Sequence, residues 1–308
     1  MTDHDPSPAD AVVQLEGVTR RFGSVTALDE VDLRVPRGSV FGLVGVNGAG
    51  KTTLIKHVLG LLAAQEGCVG VFGLDPVADP VGVLSRVGYL AEENDLPGWI
   101  RVGELLRYTR AFYPGWNDAY AERLRAQFDL DPRAKVKHLS RGQRARTGLL
   151  LALAHRPELL VLDEPSSGLD PIVRRDILGA IIRTISDEGR TVLFSSHLLD
   201  EVERVSDHVA MLHEGKIVIV STVDELKRCF RRVTVRFGEP QPSKPNIPGG
   251  LAWKGEGREW TTVSNGDLEA LRRGAAEAGA RIVEETGASL DEIFVARVGV
   301  TCPVSAEE

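Results

Sequence analysis

The sequence predicts an α/β fold built around a largely parallel sheet. Two short and continuously apolar segments, 159–162 and 192–194, are typical of strands that are buried on both faces. Helical periodicity flanks these segments at 140–156, 171–187 and 197–204. Strands that alternate with helices along a chain favour parallel pairing, because each helix returns the chain to the edge from which the next strand starts.

Short β segments also dominate the N-terminal part of the chain. The predicted strands are 12–18, 28–35, 40–44, 68–72 and 87–90, with one helix at 50–62. Residues 100–130 change to helical periodicity, which the turn Tyr113-Pro114-Gly115-Trp116 interrupts. The sequence therefore predicts two helices in this region, one on each side of the turn.

Composition divides the chain into a tail and two domains. Residues 1–10 are polar and acidic, so we expect a disordered tail that lacks the apolar segment of a signal peptide. Residues 238–250 hold four prolines and three glycines, which predicts a loop rather than the interior of an element. A small α+β domain is predicted at 230–308, after a main domain at 11–229. Its predicted strands are 232–237, 251–254, 259–263 and 281–285, and its predicted helices are 267–278 and 290–296.

Charge and cysteine content argue against several classes of protein. The net charge of -7 disfavours a protein that coats nucleic acid, because phosphate binding requires clustered Lys and Arg. Cys68, Cys229 and Cys302 lie far apart and form no CxxC pair, so we expect reduced thiols and neither a disulfide framework nor a metal site. No apolar segment approaches the ~18 residues that a membrane-spanning helix needs.

The most specific motif is a glycine-rich loop between an apolar strand and a helix. It fits the pattern G-x-x-x-x-G-K-[ST] and consists of Gly45, Val46, Asn47, Gly48, Ala49, Gly50, Lys51, Thr52 and Thr53. The backbone N–H groups of such a loop point at phosphate oxygens, and the N-terminus of the following helix favours anions. We expect Lys51 to reach the β- and γ-phosphates of a nucleotide and the Thr52 hydroxyl to bind Mg²⁺. Alone, the motif leaves kinases, GTPases and ATPases open.

A pair of carboxylates follows the apolar strand at 159–162. Strand ends that open on the nucleotide crevice are where doubly wound sheets place ligand groups. Asp163 is predicted to hold Mg²⁺ through its water shell, and Glu164 is predicted to orient and deprotonate the attacking water. Acidic pairs at strand ends are often only solvated, and the phosphate-binding loop is what favours the catalytic interpretation here.

The order of the motifs resembles that of the ABC ATPase family. After the glycine-rich loop come Leu139-Ser140-Arg141-Gly142-Gln143, then the two acids, then Ser195-Ser196-His197. The pentapeptide is similar to the family signature LSGGQ, with Arg141 in place of the first glycine. The resemblance implies that Ser140, Gly142 and Gln143 contact the γ-phosphate of ATP held by a second subunit. A helix N-terminus that favours anions agrees with this role, although Ser140 also fits an ordinary helix N-cap.

The resemblance assigns roles to four further residues. It implies that His197 contacts the γ-phosphate, that Asp170 belongs to a D-loop at 166–170 on the dimer interface, and that Phe22 stacks on adenine. Glu92 stands where the family usually has a glutamine that contacts Mg²⁺, and Glu93 next to it is the alternative. Mg²⁺ prefers hard oxygen ligands, so a carboxylate suits this position.

The resemblance covers residues 11–229 and implies a detailed architecture. It predicts a P-loop NTPase core with an antiparallel β subdomain and with a helical subdomain inserted at 98–138. Trp99, Tyr113 and Trp116 in the insert would either form a groove for a permease helix or lie in the core. The C-terminal extension, which includes 289–294, resembles tails on cassettes of drug, lipid and polysaccharide exporters.

The resemblance implies a motor subunit that binds ATP and Mg²⁺. Two subunits, identical or paired with a similar cassette, would dimerise head to tail around two Mg·ATP and drive an integral membrane permease, with export as the expected direction. The expected location is the cytoplasmic face of the plasma membrane, with no nucleic-acid partner. A soluble ABC-type ATPase that acts on ribosomes or DNA, and a regulatory module that binds ATP, stay open as alternatives.

Overall fold

The computed structural model describes residues 11–93, 95–186, 189–264 and 266–301. The chain forms two compact units that divide between Ile217 and Val218. The predicted tail at 1–10, the last predicted residue of the helix at 171–187, and Cys302 lie outside the described residues. Cys68 and Cys229 are free thiols.

An antiparallel sheet of three strands opens the first unit. Its strands are β1 (Ala11–Phe22), β2 (Val25–Pro36) and β4 (Glu66–Val71), in the order β2-β1-β4. Val13 pairs with Val35 of β2 and with Val71 of β4, and all three side chains are buried. Apolar residues on one face of the sheet form its core, so the predicted antiparallel β subdomain is confirmed.

A six-stranded sheet with parallel pairing at its centre carries the rest of this unit. Its strands are β3 (Val40–Val44), β5 (Val87–Leu90), β6 (Leu159–Leu162), β7 (Thr191–Ser196), β8 (His208–His213) and β9 (Lys216–Thr222), in the order β5-β6-β7-β3-β8-β9. The first five pair in parallel, and every residue of β3, β6 and β7 is buried. The loops after β3, β5, β6 and β7 therefore leave the sheet at one edge.

Local sequence signals mark the beginning or the end of several helices of the first unit. The helices are α1 (Lys51–Val58), α2 (Pro80–Leu84), α3 (Val102–Arg110), α4 (Asp118–Gln127), α5 (Arg141–Leu153), α6 (Pro171–Ser186) and α7 (Leu199–Val205). The side chain of Asn117 caps α4 by accepting a hydrogen bond from the Tyr120 amide. Helix α1 ends before the predicted residue 62, because Gly60 takes a φ of 68° and its amide bonds back to the His57 carbonyl.

The inserted helices lie where the family resemblance predicts them, and their aromatic residues differ in exposure. Trp99 is 76% exposed, whereas Tyr113 and Trp116 are half-buried. Tyr113 stacks on His155, with 3.9 Å between ring centroids. Only Trp99 of the three therefore presents most of its ring to a partner.

The second unit is a small α+β unit. It contains α8 (Val223–Cys229), β10 (Arg231–Gln241), β11 (Gly250–Ser264), α9 (Leu268–Glu277), β12 (Ala280–Gly287) and α10 (Leu290–Thr301), with the antiparallel strand order β11-β10-β12. Strand β11 is continuous where the sequence predicts two strands, at 251–254 and 259–263. The sequence does not predict α2, β8, β9 or α8, and the domain boundary at 229–230 stays a prediction, since the compact units divide within β9.

Candidate nucleotide-binding site

The loop between β3 and α1 is shaped by glycines whose backbone no other residue adopts easily. Gly48 and Gly50 have φ values of 82° and 109°. A Cβ atom on Gly50 would lie 2.3 Å from the Ala27 carbonyl oxygen, and one on Gly45 would lie 2.3 Å from the Leu212 carbonyl oxygen. Gly50 also leaves the N-terminus of α1 without a side-chain cap, so its amides are available to an anion. These features fit a phosphate group.

Lys51 is the charged group of this loop. Only 6% of its side chain is exposed, and its Nζ donates to the Gly45 carbonyl oxygen at 2.6 Å and lies 3.2 Å from the Val46 carbonyl oxygen. The same ammonium lies 3.1 Å from Oε1 of Glu164, which is equally buried. The loop therefore holds its cation against the loop after β6, where the predicted carboxylates lie.

Ser195 fixes the two carboxylates at the end of β6. Its hydroxyl donates to Oδ1 of Asp163 at 2.6 Å and accepts a hydrogen bond from the Glu164 amide at 2.9 Å. The Asp163 amide donates to the carbonyl oxygen of Leu90 on β5. Hydrogen bonds from two neighbouring strands thus orient this turn. The sequence motif contains Ser195 but does not predict this bridging role, because the role depends on the pairing of β6 with β7.

Glu164 occupies an uncommon backbone conformation and contacts two cationic or titratable groups. Its φ is 46°, a region that costs a non-glycine residue about 1–3 kcal/mol and that clusters at functional sites. Oε2 lies 2.7 Å from Nδ1 of His197, and the His197 amide donates to the same oxygen at 3.3 Å. Lys51 and His197 therefore flank one buried carboxylate, which brings together all three predicted catalytic residues.

The predicted signature residues form a second cluster. Ser140 caps α5 by accepting from the Gln143 amide at 3.1 Å, while the Gln143 side chain accepts from the Ser140 amide at 3.0 Å. Gly142 is buried so tightly that a Cβ atom would lie 2.6 Å from Cγ2 of Val173. Asp170 caps α6 by accepting from the Ile172 and Val173 amides. Among the residues that the structure describes, no hydrogen bond or ion pair joins this cluster to Lys51.

The remaining predicted ligands lie around the first cluster. Phe22 ends β1 with 46% of its side chain exposed, and the Arg20 guanidinium lies 4.8 Å from its ring centroid. Thr52 and Thr53 are half-buried on α1, Ala49 is buried, and Asn47 is exposed. Glu92 and Glu93 are both exposed after β5.

Tyr89 lies in β5, directly before the loop that contains Glu92 and Glu93. Burial raises the pKa of the Tyr89 phenol to about 12, and the negative charges of Asp163 and Glu92 add to this effect. The Tyr89 phenol therefore experiences the negative charges of both Asp163 and Glu92.

The described residues contain neither a cluster of three metal-ligating side chains nor a helix that could span a membrane. No three of their His, Cys, Asp and Glu side chains are grouped so that they could hold a metal ion. None of the helices in the described part of the chain is both long and apolar enough to cross a bilayer.

The fold and the phosphate-binding loop define a P-loop nucleotide-binding protein, and comparisons with known proteins define its family. The model for the family described as ABC transporter matches residues 28–167. The ABC transporter ATP-binding protein YhaQ of Bacillus subtilis (strain 168) is 32% identical over 94% of this chain and 99% of its own length. The daunorubicin resistance ATP-binding protein DrrA3 of Streptomyces coeruleorubidus is 36% identical over 71% of each chain.

A solved structure agrees with this assignment. It is titled as an ATP binding subunit of an ABC transporter, is 28% identical, and superposes with a TM-score of 0.65 over 70% of this chain and 92% of its own. The chain belongs to the family of ABC transporter ATP-binding proteins and is the ATP-hydrolysing subunit of such a transporter. The predicted family, fold class and ATPase activity are confirmed.

Proposed function

We propose that this chain dimerises head to tail around two Mg·ATP molecules and hydrolyses them to drive a separate membrane permease. The observation that carries the proposal is the position of Glu164. One of its carboxylate oxygens lies 3.1 Å from Lys51 Nζ and the other lies 2.7 Å from His197 Nδ1. A buried carboxylate between two groups that bind phosphate is suited to act as a general base beside a γ-phosphate.

Nucleotide binding is assigned to the glycine-rich loop and to Phe22. The amides of 47–53 would surround the phosphates, and Lys51 would exchange its contact with Glu164 for a β- or γ-phosphate oxygen. Phe22 offers an exposed ring for stacking on adenine. The packing of the loop supports this assignment, because a Cβ atom at Gly50 would clash with the Ala27 carbonyl oxygen and displace the loop.

Magnesium binding is assigned to Thr52, Asp163 and Glu92. Mg²⁺ in such sites keeps several waters and is bound by one or two carboxylates together with phosphate oxygens, so the site does not need three clustered side chains. The metal would neutralise charge that develops on the phosphates. We favour Glu92 over Glu93, because the negative charge of Glu92, like that of Asp163, raises the pKa of the Tyr89 phenol.

We assign the hydrolysis of ATP to Glu164 and the groups around it. Its carboxylate would take a proton from water as the water oxygen bonds to the γ-phosphorus, while the bond to the β-γ bridging oxygen breaks and ADP leaves. Lys51 and His197 would stabilise the negative charge on the transferring phosphoryl group. Ser195 would keep the Glu164 backbone in its uncommon conformation through the hydrogen bond to its amide.

The dimer is supported by the separation of the two clusters. Among the described residues, no hydrogen bond or ion pair joins Ser140, Gly142, Gln143 or Asp170 to Lys51. This separation is compatible with a signature helix that serves the nucleotide of a second chain. Two such contacts are equivalent and close as a two-fold pair. The partner is either an identical chain or a similar cassette.

The transport role is supported by the family and by the exposed surface of the helical insert. The family consists of transporter subunits, and an integral membrane permease would supply the pathway. Trp99 offers that partner an exposed aromatic ring. The name of the relative DrrA3 refers to daunorubicin resistance, which favours export and a site on the inner face of the plasma membrane. We assign 11–229 to the ATPase domain and 230–308 to a C-terminal extension.

The decisive test is the replacement of Glu164 by Gln. We expect kcat for ATP hydrolysis to fall by about 10²–10⁴, as for the loss of a general base, while ATP binding persists. Light scattering after size exclusion should then find an ATP-dependent dimer of the variant. Glu277→Gln, which changes an exposed glutamate on α9, is the matched control and should hydrolyse ATP normally. Hydrolysis by Glu164→Gln at the rate of the wild type would refute the proposal.

A further inference from the structure

The loop at 166–170 is attached on one side to a buried carboxylate. The Ser166 hydroxyl donates to Oε2 of Glu201 at 2.5 Å, and Oε1 of Glu201 lies 3.1 Å from Nε of Arg174. Glu201 is only 1% exposed, and burial raises the pKa of its carboxyl. Because a buried carboxylate destabilises a fold unless it is well paired, its presence on α7 indicates a specific role for the contact with Ser166.

Arg141 holds the same loop from the other side. Its Nη2 donates to the Ser167 carbonyl oxygen at 2.9 Å. Its guanidinium packs on Gly168, where an added Cβ atom would lie 2.4 Å from Nη1. Arg141 is the first residue of α5, and a cation in the first turn of a helix is disfavoured by the helix dipole. The contact with the loop therefore explains this arginine better than helix stability does.

The Glu201 contact also links the loop to the groups around Glu164. Ser166 and Glu201 belong to the same two segments as Glu164 and His197, which lie 2.7 Å apart at Oε2 and Nδ1. Two buried cross-links thus join these segments, one at the catalytic carboxylate and one at the loop. A displacement of the loop would be transmitted to His197 through the short connection to α7.

We propose that Arg141 and Glu201 form a two-sided clamp. The clamp holds the loop at 166–170 in a fixed position relative to Glu164 and His197. This inference rests on the proposed dimer, in which the loop lies on the interface with the second subunit. Arg141 is then a positioning residue, acting through Ser167 and Gly168. Arg141 stands where the signature usually has a glycine, and it would hold the loop at 166–170 in place before the second subunit binds.

The test compares Arg141→Met and Arg141→Lys with the wild type. Arg141→Met keeps most of the side-chain length and removes the charge-assisted hydrogen bond, so kcat should fall about tenfold, while the Kd for a fluorescent ATP analogue stays unchanged. Amide hydrogen exchange of 166–170, measured without nucleotide, should become faster in this variant. Arg141→Lys should recover part of kcat and of the protection, and Ser166→Ala should raise exchange from the other side of the clamp.

Arg107→Met is the matched control, since it removes an exposed arginine of α3, and it should change neither kcat nor exchange at 166–170. Exchange at 166–170 that stays at the wild-type rate in both Arg141→Met and Ser166→Ala overturns the clamp. So does a wild-type kcat in Arg141→Met. Exchange needs neither hydrolysis nor a dimer, so failure of the clamp is distinguishable from failure of the Glu164→Gln test.

Discussion

The two units of the chain bury very different side chains. In the first unit the buried polar groups include Lys51, Asp163, Glu164 and Glu201, all of which carry charge at some pH. Among the described residues of the second unit, only Thr262 and Ser264 are buried polar residues, and its ion pairs are at least partly exposed. Burial of charges opposes folding unless they are paired, and such charges cluster at functional sites. The buried charges of the first unit therefore reduce its stability and indicate a functional site. The second unit has a conventional apolar core.

The largest expected effect that tests this contrast is on the second unit. Trp260 is 6% exposed and packs in a core that also contains Val233, Val235 and Leu271. Trp260→Ala should destabilise this unit by about 3–5 kcal/mol, because it removes buried area and leaves a cavity. Limited proteolysis should then cut within 231–264 at lower urea concentrations, while the ATPase activity of the first unit persists.

Trp99→Ala is the control for the same residue type. Because Trp99 is 76% exposed, its removal should change the unfolding free energy by less than about 0.5 kcal/mol. Loss of ATPase activity in step with unfolding of the second unit would contradict this prediction.

The next effect is expected in the phosphate-binding loop, where two glycines give a matched pair. Gly48 and Gly50 both have positive φ, but a Cβ atom meets nothing within 4 Å at Gly48 and lies 2.3 Å from the Ala27 carbonyl oxygen at Gly50. Gly48→Ala should cost about 1 kcal/mol of stability through backbone strain, and Gly50→Ala should cost more, up to about 3 kcal/mol. Gly50→Ala should also weaken nucleotide binding more strongly.

Thermal unfolding and titration with a fluorescent nucleotide measure both effects. Equal losses in the two variants would mean that the conformation of the loop matters and the contact with Ala27 does not. The shape of the cradle would then depend on the loop alone and not on its packing against β2.

The sequence predicts those parts of the fold that local patterns specify. Strands β3 and β6 have the predicted bounds, because continuous apolar segments are characteristic of central parallel strands, and β5 at the edge of the sheet has the predicted bounds too. Strand β8 is also a short apolar segment, but such a segment fits a helix or a strand until its long-range pairing with β3 decides. The same reason applies to β9, whereas α8 begins with a capping box of Thr222 and Glu225, a local signal that is present in the sequence.

The residues of the candidate site also fall into those that local patterns predict and those that they do not. Motifs predict Lys51, Asp163 and Glu164, because their spacing along the chain is fixed by the chemistry of phosphate binding. The contacts of Ser195 with Asp163 and of Glu201 with Ser166 join residues that are distant in sequence. They depend on how β6, β7 and α7 are placed in three dimensions, which no local pattern specifies.

The smallest expected effect is a dependence of stability on pH in the first unit, and it comes from buried histidine. His155 is 5% exposed, stacks on Tyr113, and has its Nε2 3.1 Å from the Val87 carbonyl oxygen. Burial lowers the pKa of His155, and it also lowers the pKa of His57 on α1. Between the folded pKa and the unfolded value of about 6.5, the unfolded chain binds more protons than the folded one, so stability falls as pH decreases.

Urea unfolding at pH 7.5, 6.5 and 5.5 measures this dependence. His155→Gln should lower stability at every pH, because the Tyr113 stacking is lost, but it should flatten the decrease below pH 6.5. His57→Gln should flatten the rest, so that the double variant is flatter than either single one. Neither substitution changes the charged residues around Glu164, so the contribution of these residues to the pH dependence of stability stays the same in all variants. If the slope of His155→Gln equals that of the wild type, the imidazole of His155 does not titrate differently in the folded and unfolded states, and its burial does not contribute to the pH dependence of stability.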